Sequence, residues 1–322
     1  MKCLSVLAAI AALTSFASAA HFVTTNGTHF KDDKTGNAYK HFGCDVHRGH
    51  ASSHFNDTVK KLHKDKSHKL HKHPIALTRS ARGSKRQATG QTTAPIAINA
   101  YFHIISTAAQ AASVTQDMAT QQMAVLNAAY NPYGISFTLA GTDFTTNDAW
   151  SVAGTAEDLN ALKAALRNGT YKDLNIYFHT DLAGGNLGTC TLPSQVPAGA
   201  APSVYVSDGC NVNAATMPGG TMGGYNQGKT AVHETGHWMG LLHTFEGYSC
   251  EGDGDMIDDT PQESQPTDGC PDKPPKDSCP SATGVDPIHN YMDYSTDACY
   301  EGFTPLQVVR MENLWNQFRV GQ

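Results

Sequence analysis

His233-Glu234-Thr235-Gly236-His237-Trp238-Met239-Gly240-Leu241-Leu242-His243 reads H-E-x-x-H-x-x-G-x-x-H. His233 and His237 are four residues apart, so on a helix they share one face, one turn apart. Two imidazoles placed that way can grip one zinc ion. Gly240 falls where the helix must stop, because only a residue without Cβ adopts φ > 0 cheaply. The turn there brings His243 back as a third ligand. Glu234 sits beside the first ligand without being one, in the place of a general base. Three protein ligands leave a fourth position open, which marks a catalytic and not a structural zinc. A bare H-E-x-x-H is common by chance. Five fixed residues at these spacings arise by accident about once in ten thousand chains of this length. An ordinary buried helix with satisfied core histidines is the plainer reading, and the full constellation argues against it.

Downstream, in a Gly/Pro-rich region, stands His289-Asn290-Tyr291-Met292-Asp293-Tyr294. Together the two stretches resemble the metzincin clan of zinc endopeptidases, whose long zinc motif is followed by a Met-turn. The likeness is closest to the pappalysin (M43) family, in particular its secreted fungal extracellular metalloproteases, whose N-Y-M-D-Y turn stands at residues 290–294. It covers roughly residues 95–320. The resemblance implies that Met292 forms an apolar floor under the zinc ligands and that the Tyr294 hydroxyl stabilises the transition state near the metal. A packed core tyrosine is the plainer role for Tyr294.

Outward from this centre the chain changes character. A charged start, an apolar run over residues 4–13 and Ala17-Ser18-Ala19 make a secretory signal peptide, residues 1–19, too short to span a bilayer. Residues 20–86 hold ten of the sixteen histidines and 14 Lys/Arg against 5 Asp/Glu, a net charge of +9. They have few large apolar residues, which argues against an independent core. The segment ends at the dibasic Lys85-Arg86 and reads as a pro-segment; a basic arm that stays attached is the other reading. Residues 87–322 form the catalytic domain, with 8 Lys/Arg against 24 Asp/Glu and a net charge of −16. Such a product is not expected to bind nucleic acid or an anionic membrane by charge. Its expected partners are protein or peptide substrates and its own basic pro-segment, and it is expected to act as a secreted, extracellular monomer.

Alternation and helical spacing predict strands over residues 95–106, 135–140, 174–179, 187–192 and 203–207, and helices over 114–130, 155–167, 229–239 and 306–318. The order describes an α+β fold, a twisted, mixed five-stranded sheet with backing helices, and the resemblance implies that it is a metzincin-like catalytic domain. A loop-rich lower lobe follows residue 247. The strand over 187–192 precedes the zinc helix, ends at Pro193, and is the candidate edge for pairing with an extended substrate.

Cys3 leaves with the signal and Cys44 lies in the pro-segment. The remaining six cysteines allow fifteen pairings. The resemblance implies Cys250–Cys279 and Cys270–Cys299 in the lower lobe, leaving Cys190 with Cys210. A cysteine zinc site is the alternative, but C-x₂₋₄-C spacings are missing. Disulfides suit residues 248–300, which have little apolar material to bury. Asn168-Gly169-Thr170 is a glycosylation sequon at a helix end. Glu251 to Pro261 places Asp253, Asp255, Asp258 and Thr260 in a Gly-punctuated loop that suits a hard cation. The resemblance implies calcium there, and a solvated acidic loop is the alternative.

These features predict a secreted zinc metalloendopeptidase made as a latent precursor. A non-catalytic secreted scaffold and an amidase acting on non-protein substrates are the competing classes. An intact Glu234 argues against the scaffold. Relatives shape their specificity pocket partly from the stretch after the Met-turn, where Asp297 would favour basic side chains. Cys44 is a candidate latch, since a thiolate can fill the open fourth position. The order Gly43-Cys44-Asp45 matches the Cys-Gly latch of some relatives only in part. Steric cover and an imidazole of the pro-segment are the alternatives.

Overall fold

The computed structural model describes residues 29–31, 38–40, 44, 46, 51–65 and 95–320. The predicted signal peptide and the Lys85-Arg86 pair lie outside them. Residues 20–86 contribute a short antiparallel pair, β1 (His29–Lys31) and β2 (Ala38–Lys40), then helix α1 (Ser53–Lys64). The sequence reading had no helix here. The Ser52 side chain caps α1 by accepting from the Phe55 amide at 3.1 Å.

The catalytic region runs β3 (Ile96–Ser106), α2 (Gln116–Tyr130), β4 (Ile135–Thr146), α3 (Asp148–Val152), α4 (Ala156–Leu166), β5 (Leu174–His179), β6 (Gly188–Cys190), β7 (Cys210–Asn213), α5 (Lys229–Trp238) and α6 (Pro305–Phe318). The sheet order is β4-β3-β5-β7-β6. β4, β3, β5 and β7 pair in parallel, and β6 closes the edge antiparallel to β7. The mixed five-stranded sheet of the sequence reading is therefore present. Alternate residues of β3, from Ile96 to Ile104, are buried on the face that α2 covers with Met123, Leu126 and Tyr130. The Tyr130 hydroxyl donates to the Val232 carbonyl at 2.9 Å, which hooks α2 to α5.

One strand expectation fails and another is shortened. Residues 203–207 read Ser-Val-Tyr-Val-Ser, but Pro202–Val204 makes a 3₁₀ turn with Val204 exposed and no strand forms there. The fifth strand is instead β7, Cys-Asn-Val-Asn, whose four residues are too few for a pattern to stand out. It is buried at every position because it is wedged between β5 and β6. The edge strand predicted over 187–192 shortens to three residues.

The six cysteines pair Cys190–Cys210, Cys250–Cys279 and Cys270–Cys299. The first staples β6 to β7 at directly paired positions. The other two hold the loops of the lower lobe. Behind α5, Arg319 makes two 3.1 Å bonds to Asp208, and the Trp238 indole donates to the same carboxylate at 3.0 Å. This clamp ties the end of α6 to the end of α5.

His179, at the end of β5, is fully buried between the Trp150 carbonyl at 2.9 Å and Asn211 at 3.3 Å. Burial lowers its pKa from 6.5 to about 4, against partial recovery from those hydrogen bonds. Between those two values the unfolded chain holds a proton that the folded chain does not, so stability falls as pH falls through that window. A shift of this size corresponds to about 3 kcal/mol. His179→Gln is expected to flatten the fall of melting temperature across the window. An unchanged slope would place the acid sensitivity in other groups.

Candidate metal centre and active site

Helix α5 is buried from Thr230 to Trp238, so its functional side chains work in a dry interior. Gly240 has φ +96° and ends the helix where the sequence requires, and a Cβ there would collide with Leu314. The turn returns His243 to the helix. The His237 Nε2 atom lies 3.0 Å from His233 Nε2 and 3.1 Å from His243 Nε2. The outer nitrogens orient two of the rings: His233 Nδ1 meets the Tyr291 carbonyl at 2.7 Å and His237 Nδ1 meets the Leu241 carbonyl at 2.9 Å. A carbonyl only accepts, so both Nδ1 atoms carry the proton and both Nε2 atoms present lone pairs. Burial, then the repulsion a protonated His237 would exert, pushes the His233 imidazole well below its usual range and keeps it neutral. Converging lone pairs in a dry site repel one another unless a cation sits among them. This donor set fits a zinc ion.

Glu234 faces the same space and is fully buried. Burial raises its carboxyl to about 8, against a smaller lowering from the Cys44 thiol, which donates to Oε2 at 3.3 Å. Oε1 accepts nothing among the described residues. The Tyr294 hydroxyl lies 3.2 Å from His243 Nε2.

Met292 is fully buried, and its sulfur packs so closely against Gly236 that a Cβ there would collide with it. Asn290 fixes this turn. It exchanges two side-chain bonds with Gln307 of α6, at 2.8 and 3.0 Å, and accepts from the Met292 amide at 2.9 Å. Asp293 accepts from the amides of Thr267 and Tyr294 at 2.9 and 2.7 Å. The turn thus hangs from α6 and the lower lobe.

Cys44 enters the cleft. Its sulfur and the metal-facing nitrogens of His233, His237 and His243 all lie within 4.8 Å of one another. Its amide donates to the Tyr294 hydroxyl at 3.0 Å, and that hydroxyl donates to the Cys44 carbonyl at 2.8 Å. Its backbone bridges Gly188 of the edge strand β6 in parallel.

Three other sequence expectations land elsewhere. Asp297 is buried, and its Oδ2 accepts from the backbone of Gln227 at 2.7 Å and Lys229 at 3.3 Å. It caps α5, whose own N-cap is Gly228 and has no side chain to do so. The sequence offered no signal for a cap arriving from 68 residues downstream. Within the acidic loop, Asp253 and Asp258 are exposed and lie 3.9 and 3.6 Å from His63 of α1, while Asp255 is buried near Arg310. Asp253 and Asp258 thus face His63, while the Thr260 side chain lies beside Asp255. Asn168 is exposed past the end of α4.

A family model for peptidase M43, described as pregnancy-associated plasma protein-A, matches residues 160–316. An extracellular metalloprotease of Podospora anserina is 47% identical over 246 residues, covering 76% of this chain and 82% of the relative. One of Neurospora crassa is 48% identical, covering 76% and 83%. The chain belongs to the M43 peptidase family. Mature mirolysin of Tannerella forsythia, solved with a cleaved peptide, resembles this M43 peptidase with a TM-score of 0.58 and 26% identity, over 71% of this chain and 94% of mirolysin. A promirolysin mutant matches with the same TM-score at 25% identity, over 71% and 83%. The M43 peptidase is thus a zinc-dependent metalloendopeptidase with a metzincin-like fold.

Proposed function

We propose that His233, His237 and His243 hold the catalytic zinc, that Glu234 is the general base, and that Tyr294 supports the transition state. The observation that carries this reading is the convergence of three Nε2 atoms beside a buried carboxylate. When bound, zinc supplies a Lewis acid that polarises the scissile carbonyl and makes a water more acidic. Glu234 takes the proton of the attacking water and passes it to the leaving amine. The Tyr294 hydroxyl donates to the oxygen on which negative charge develops. An extended substrate pairs with the edge of β6, a position that Cys44 fills in the precursor.

The same reading makes the protein a secreted one, with residues 1–19 as signal and 20–86 as pro-segment, released at Lys85-Arg86. Relatives named extracellular support it. No helix among the described residues is long and apolar enough to cross a membrane. The exposed Asn168 sequon is assigned a glycan, and the acidic loop a calcium ion. Calcium is expected to raise the melting temperature of the mature enzyme, and no shift on adding it would remove calcium from the loop.

For zinc, elemental analysis of the mature enzyme is expected to give one ion per chain. 1,10-Phenanthroline is expected to abolish hydrolysis of a peptide library, with recovery on adding zinc. Undiminished cleavage after complete removal of metal would overturn the reading.

A further inference from the structure

Helix α1 packs against the segment that leads into His243. Phe55 and Val59 are fully buried, one helical turn apart, against Leu242, Met256, Leu314 and Phe318. Leu242 belongs to the ligand loop between Gly240 and His243, and Leu314 is the α6 side chain that packs on Gly240. Gln317 of α6 donates to Thr58 at 3.0 Å, and His63 meets the Met256 carbonyl at 3.0 Å. The groove is therefore apolar along its floor with polar contacts at its rim. Lys60, Lys61 and Lys64 point to solvent, so the basic face of α1 takes little part in the docking.

The Lys85-Arg86 pair lies more than 20 residues beyond the end of α1 at Lys64. A cut there breaks one peptide bond by hydrolysis and touches none of these contacts. We propose that the groove formed by Leu242, Met256, Leu314 and Phe318 is a helix-docking site that keeps the cleaved pro-segment bound through α1. Maturation then has two stages, cleavage and release, and cleavage alone does not clear the cleft. The proposal rests on the reading that the precursor is cut after Arg86, but not on Cys44 being the latch. Apolar docking of this kind resists salt, whereas attraction between charges of +9 and −16 is screened by it.

The test uses the whole precursor carrying Glu234→Gln, so that any self-digestion reports on the catalytic reading and elution reports on docking. The precursor is cut with a protease specific for Lys-Arg pairs; Lys85-Arg86 is the only such pair in the sequence. The products are separated by size in about 1 M salt, where charge attraction is screened within a few ångströms. With Cys44→Ala added, the pro-segment is expected to co-elute with the catalytic domain. With Phe55→Ala and Val59→Ala added as well, it is expected to separate, its hold weakened at least about thirtyfold. The melting temperature of each uncut precursor checks that it folds, and Leu62→Ala at the half-buried end of the groove is the milder variant, expected to speed release. Separation of the Cys44→Ala pro-segment on cutting would overturn the proposal. So would co-elution of the Phe55→Ala/Val59→Ala product.

Discussion

Replacing Glu234 by Gln is expected to lower peptide hydrolysis at least about a hundredfold while one zinc per chain stays bound. Gln keeps the shape of Glu and can still accept a hydrogen bond, but it cannot take a proton at neutral pH. The three imidazoles keep their own supports, since the Tyr291 and Leu241 carbonyls hold two of the rings without help from residue 234. Loss of activity with metal retained thus separates a base from a ligand. Replacing His237 by Gln removes the nitrogen that lies within about 3 Å of both other ligands, and is expected to lose metal and activity together. Full activity in Glu234→Gln would remove that residue from its role. Loss of zinc in that variant would make the carboxylate part of the metal site instead.

The helix bearing His233 and His237 was legible from sequence because a metal site demands both residue type and spacing, and no tertiary context can substitute for either. Gly240 was legible for the same reason: the turn needs positive φ. The Met-turn was readable as a motif, but its anchoring by Gln307 was not, because that bond joins residues from separate elements. Asp297 shows the limit most plainly. Its residue type suggested a pocket wall, yet its Oδ2 sits on the start of α5, where a missing N-cap side chain at Gly228 leaves amides to satisfy. β7 and α1 were missed for related reasons. β7 is a strand because of its two neighbours. α1 is short and carries its apolar residues at Phe55, Val59 and Leu62, a helical spacing diluted by lysines and histidines. Its order comes from the groove it fills more than from propensity.

A precursor that cannot be cut, with Lys85 and Arg86 replaced, is expected to be inactive, and adding Cys44→Ala is expected to restore measurable hydrolysis. Cys44 engages every part of the chemistry at once. Its sulfur stands among the three histidine nitrogens, its thiol donates to Glu234 at 3.3 Å, and its backbone satisfies the Tyr294 hydroxyl in both directions. Its bridge to Gly188 covers the edge strand that a substrate needs. A thiolate is a strong zinc ligand, so the arrangement would exclude the water that Glu234 must activate. Alanine removes the sulfur and leaves the backbone bridge, so the double variant is expected to recover only part of the mature activity. High salt is expected to raise it further if the opposite charges of the two regions help hold the segment. The neighbours Gly43 and Asp45, and the histidines at 41, 47 and 50, lie outside the described residues. An imidazole latch therefore has its own test, the same uncut precursor with those histidines changed to Gln. If the Cys44→Ala precursor is as silent as its parent while the histidine variant is active, the blocking ligand is imidazole and not thiolate. If both stay silent, the segment blocks by cover alone, through the strand edge at Gly188 and the docked helix α1.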